Sequence, residues 1–67
     1  MDIQKYLTDK DKTQSWLAEK AGISKQLLSL HIKNPSMGWR KHHAEKIVTA
    51  LFGEPIREKI IELVLGE

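Results

Sequence analysis

The residues with chemical potential gather in the middle of the chain. Residues 13–43 carry Lys20, Lys25, Lys33, Arg40 and Lys41 against Glu19 alone, a net charge of +4, and His31, His42 and His43 fall in the same stretch. Five cations facing one carboxylate suit a polyanionic partner. A solvated face with a chance imbalance explains the charge count equally well. Residues 1–12 balance, with Lys5, Lys10 and Lys12 against Asp2, Asp9 and Asp11. Residues 44–67 hold Lys46, Arg57 and Lys59 against Glu45, Glu54, Glu58, Glu62 and Glu67, which is −2. The chain total of +2 therefore understates the middle.

Other chemistries find little support. His42 and His43 invite a metal reading, but adjacent helix residues do not face each other and no third ligand follows, so no metal site is expected. Asp2, Asp9, Asp11 and Glu19 fall on caps, a turn and a polar face. No nucleophile or glycine-rich phosphate loop accompanies them, so no catalytic residue, no small-molecule substrate and no cofactor are expected. The absence of cysteine excludes disulfides, cysteine metal sites and thiol catalysis. No apolar run approaches the roughly 20 residues of a membrane span. The start, Met1-Asp2-Ile3-Gln4, lacks the basic and apolar regions of a signal peptide.

The elements that must position the basic residues are helices. Sixty-seven residues, 40% hydrophobic and 30% charged, fit one small globular domain over residues 1–67. Apolar residues recur at helical spacing, with no strand-like alternation. Five helices are expected, at about residues 2–7, 14–21, 25–33, 40–52 and 55–65. Asp2, Thr13 and Ser24 are suitable N-caps. Gly22 and Gly53 stop helices, and Asn34-Pro35 ends the third. Pro55 suits the first position of the fifth. That helix places Ile56, Ile60, Leu63 and Val64 on one face, with Ile61 and Leu65 pointing elsewhere. This is more apolar surface than one small core needs, and a partner subunit would cover the rest.

One segment carries a motif. Gln14 to Lys33 reads QSWLAEKAGISKQLLSLHIK. Ala18 is small where two helices cross, Gly22 tolerates positive φ four residues later, and Ile23 plugs the gap beneath the turn. Leu17 and Leu28 face the core. Thr13-Gln14 with Leu17-Ala18 and Gly22-Ile23-Ser24 resembles the lambda-repressor-like, or Cro/C1-type (XRE), helix-turn-helix family. The fold implied is all-α, with five helices and the helix-turn-helix at helices 2 and 3.

The resemblance implies double-stranded DNA as partner and helix 3 in the major groove. Ser24, Lys25, Gln26, Ser29 and Leu30 are then the base-contacting set, with Gln26 suited to adenine and Lys25 to guanine. Leu30 either meets a thymine methyl or packs on the following loop. Gln14, Lys33, Asn34, Ser36, Arg40 and Lys41 are assigned to the phosphate backbone. Trp39 is either a lid on the core or an aromatic at the sugar edge, and Trp16 is expected to pack on the first or last helix. His31 departs from the family, which keeps an aliphatic residue there. Either Ile32 takes the buried place by a small rotation, or His31 reaches a phosphate.

The functional expectation is a sequence-specific transcriptional regulator, most like a small stand-alone Cro-type phage repressor. It would bind a palindromic operator as a homodimer, formed only on DNA in one version. The dimer interface would be Ile56, Ile60, Ile61, Val64 and Leu65, and the setting a bacterial cytoplasm and its nucleoid. The rivals are an antitoxin- or anti-repressor-like interaction module using the last helix, and a DNA-binding domain of a longer regulator.

Overall fold

The sequence supplies its own start and stop signals, and a computed structural model, which describes residues 1–66, uses most of them. The helices are α1 (Ile3–Asp9), α2 (Gln14–Ala21), α3 (Lys25–Lys33), α4 (Lys41–Phe52) and α5 (Arg57–Leu65). Asp2, Thr13 and Ser24 each accept a hydrogen bond from the backbone N–H three residues on, at 3.0–3.1 Å. These caps satisfy donors that a helix start otherwise leaves unpaired. Glu67, counted above with the acidic tail, lies outside the described residues.

Three boundaries differ from expectation. α1 runs to Asp9, past Leu7. Arg40 is the N-cap of α4, with extended backbone (ψ 143°), and lies outside its first turn. Pro55 precedes α5 altogether. Ile56 N–H donates to the Glu54 carbonyl at 3.0 Å, which makes a turn of residues 54–56 and leaves Ile56 as the N-cap.

The turn between α2 and α3 is built on Gly22, whose φ is 72°. Gly22 N–H reaches the Glu19 carbonyl at 3.2 Å and Ile23 N–H the Ala18 carbonyl at 3.0 Å. This double closure is the glycine-ended helix stop, and it turns the chain sharply into α3. A Cβ at Gly22 would meet nothing within 4 Å, so alanine there suffers only the strained backbone. Gly22→Ala is expected to lower stability by about 1–2 kcal/mol. Urea unfolding should show this as a lower midpoint at unchanged slope.

Every helix contributes to one core. Ile3 and Leu7 come from α1, Leu17, Ala18 and Ala21 from α2, and Leu28 from α3. α4 lies centrally, giving Ala44, Ile47, Val48 and Leu51, while α5 gives Ile60 and Leu63. Tyr6 meets Phe52 edge-on at 5.1 Å, tying α1 to the end of α4. Trp39 joins from the 34–40 loop, only 5% exposed. The core-lid alternative for Trp39 is the one realised. Trp16 is half-buried, with the Lys12 ammonium 5.2 Å from its ring centre.

The loop that carries Trp39 is clamped to α5. Trp39 N–H donates to the Leu63 carbonyl at 2.9 Å. Gly38 lies so close to the Val64 carbonyl oxygen that no Cβ fits, and Gly66 is pressed in the same way against the Ser36 carbonyl. Backbone meets backbone here because glycine stands on both sides.

Candidate nucleic-acid interface

α3 presents its outer face to solvent because Leu28 and His31 anchor the inner one. Lys25, Gln26, Ser29, Leu30 and Lys33 line one shallow depression on that outer face. Lys25, Gln26 and Lys33 are exposed, Ser29 is half-buried, and Leu30 is 48% exposed. Leu30 therefore presents an apolar side chain among polar ones. Ser24 stands at the start of the same helix, its hydroxyl oxygen holding the Leu27 N–H at 3.0 Å.

Among the described residues, the cations of the basic block form no ion pair. Among the described residues the ion pair is Lys59–Glu62 at 3.8 Å, far from the basic block in sequence. Among those residues Lys20, Lys25, Lys33, Arg40 and Lys41 form none. A surface of unpaired cations keeps its field for an outside anion.

The residues flanking α3 fall into two groups. Arg40, Lys41 and Ser36 are exposed, with Arg40 and Lys41 at the start of α4. Asn34 is occupied: its side-chain amide donates to the Leu30 carbonyl at 3.0 Å and closes the end of α3. Gln14 is also engaged. Its Nε2 donates to Gln4 Oε1 at 3.0 Å, and its Oε1 accepts from Ser29 Oγ at 3.1 Å. One Gln14 amide hydrogen remains for a ligand.

Gln4 and its neighbour Thr8 were absent from the expected site. Gln4 connects to α3 through Gln14, ten residues away in sequence, and Thr8 through Gln4. Only their i, i+4 placement on the polar side of α1 hinted at a shared role.

His31 corrects the expectation most clearly. It neither yields its place to Ile32 nor reaches outward to a phosphate. It is 7% exposed and stacked on Trp39, with ring centres 3.8 Å apart and 15° between planes. The flat aromatic pair fills this part of the core. The ring's Nδ1 has no hydrogen-bond partner. Burial pushes the imidazole below its usual range, with the Met37 backbone opposing.

His42 and His43 also depart from expectation, since their rings lie 4.0 Å apart at 46°. His43 is pushed down by desolvation first, then by His42, Lys46, Arg40 and His31. No group of three or more potential metal ligands exists among the described residues. No helix there is long and apolar enough to cross a membrane.

The expected interface on α5 is only partly available. Ile60 belongs to the chain's own core at 9% exposure, and Ile56 is half-buried against it. Ile61, Val64 and Leu65 are 45%, 37% and 63% exposed.

The Cro/C1-type HTH DNA-binding domain model matches residues 2–52. The chain belongs to that family, a DNA-binding and non-enzymatic one. No curated protein and no solved structure matches the chain.

Proposed function

We propose that this protein is a sequence-specific transcriptional regulator, a Cro-type repressor that binds a palindromic operator as a homodimer. The observation that carries the reading is the outer face of α3, where Gln26, Ser29 and Leu30 share one open depression with Lys25 and Lys33, cations with no ion pair among the described residues. Lys25 has the donors for the guanine edge, and Gln26 has the donor and the acceptor for the adenine edge. Lys33, Arg40, Lys41 and the spare Gln14 amide hydrogen serve phosphates, with Ser36 beside them. Two copies joined through Ile61, Val64 and Leu65 would set their α3 helices about one turn of DNA apart. Occupancy of the operator then blocks polymerase, in a phage or chromosomal setting within the nucleoid.

Selection of bound sequences from random duplexes at two salt concentrations tests this reading. A palindromic motif is expected, with affinity falling steeply as salt rises. Gln26→Ala and Lys25→Ala should each relax preference at one position. Arg40→Ala and Lys41→Ala should weaken all sequences alike and reduce the salt slope by about one each. Enrichment of no motif, with a tight protein complex instead, would favour an interaction module working through the exposed α5 residues.

A further inference from the structure

A one-way chain of hydrogen bonds runs from the outer face of α3 into α1. Ser29 Oγ donates to Gln14 Oε1 (3.1 Å), and Gln14 Nε2 donates to Gln4 Oε1 (3.0 Å). Gln4 Nε2 donates to Thr8 Oγ1 (3.5 Å), and Thr8 Oγ1 donates to the Gln4 main-chain carbonyl (3.0 Å). A hydroxyl has one hydrogen, and an amide has one accepting and one donating end. Thr8 has given its hydrogen to the helix backbone, so toward Gln4 it only accepts. Gln4 must then turn its NH2 to Thr8 and its carbonyl to Gln14. Gln14 turns its NH2 to Gln4 and its carbonyl to Ser29. The reversed arrangement would set the Gln4 carbonyl against an oxygen with no hydrogen to offer.

We infer that Ser29 meets DNA as a hydrogen-bond acceptor only, and that Gln4 is the positioning residue that makes it so. This rests on the reading of α3 as the groove-facing helix. A serine hydroxyl ordinarily serves either as donor or as acceptor to a base. Here its hydrogen is committed inside the protein, and only lone pairs remain. The groups it takes in the major groove are exocyclic amines, adenine N6 or cytosine N4. Guanine N7 and O6 and thymine O4 receive nothing from it. Gln4 acts through Gln14 and touches no base.

The test starts from the motif enriched by the wild-type protein. The position whose preference disappears in Ser29→Ala is identified. Duplexes then lack a single group there, either the exocyclic amine or a ring nitrogen or carbonyl acceptor. Loss of the amine is expected to weaken wild-type binding roughly three- to ten-fold, as one neutral hydrogen bond would. Loss of an acceptor should have no effect through Ser29, and Ser29→Ala should respond to neither. Gln4→Lys offers only donors and takes the Gln14 carbonyl. It should turn Ser29 into a donor and move the sensitivity to the acceptor. Gln4→Glu offers only acceptors and should keep the wild-type pattern. Gln4 and Thr8 are exposed, and thermal melting confirms that each variant folds. Sensitivity of the wild type to the acceptor alone overturns the inference, as does a motif that Ser29→Ala leaves unchanged. Enrichment of no motif at all removes the DNA-reading assignment beneath it.

Discussion

Gly38→Ala is expected to remove about 2–5 kcal/mol of stability, more than any surface change in this chain. The added Cβ would collide with the Val64 carbonyl oxygen, with the Gly66 nitrogen also within reach. Both neighbours are backbone and cannot rotate away. The 34–40 loop must lift from α5, breaking the 2.9 Å bond from Trp39 N–H to Leu63. Trp39 then leaves its pocket and His31 loses its stacking partner. A chain of 67 residues has a total stability of only about 3–10 kcal/mol. Urea unfolding followed by tryptophan fluorescence should show a midpoint far below that of Gly22→Ala, with Trp39 emission already red-shifted before the transition. A midpoint at or above that of Gly22→Ala would mean that the clamp is not rigid.

Acidification should destabilise the fold through His31. The folded chain holds this ring below its usual value of 6.5 because of burial, and the unfolded chain does not. Above that value both states are neutral there and stability is intact. As pH falls below it, the unfolded state takes up a proton that the folded state resists. Stability then declines by at most about 1.4 kcal/mol per pH unit from this group. The decline stops only when the buried ring itself is protonated. His31→Leu removes the titrating group and the unpartnered Nδ1, so its profile should be flatter between pH 7 and 5. Denaturant midpoints measured across that range decide it. Parallel profiles for the two proteins would assign acid sensitivity to other groups, such as His43.

Local signals made much of this fold legible. α2 and α3 have the expected bounds because Thr13 and Ser24 cap them and Gly22 separates them. These are short-range interactions, and neighbouring residues specify them. The start of α5 misled because proline tolerates the first helical turn without requiring it, and the Glu54–Ile56 turn took that place. His31 was illegible for a different reason. Its burial depends on Trp39 arriving from a loop that α5 holds, and no helical periodicity records such a pairing. The outer face of α3 followed from the motif. Its link to Gln4 and Thr8 did not, because side-chain hydrogen bonds between separate helices leave no spacing in the sequence.

The clamp at Gly38 and Gly66 ties α3 and α5 to one loop. Trp39 touches His31 of α3 on one side and hangs from the Leu63 carbonyl of α5 on the other. The exposed apolar residues Ile61, Val64 and Leu65 lie on the same short helix. A partner that shifted α5 on binding there would shift Trp39 with it, and Trp39 would carry the displacement to the end of α3. Thermodynamic reciprocity then sets the terms: whatever binding free energy contact at α5 adds to grip on DNA, DNA adds equally to contact at α5.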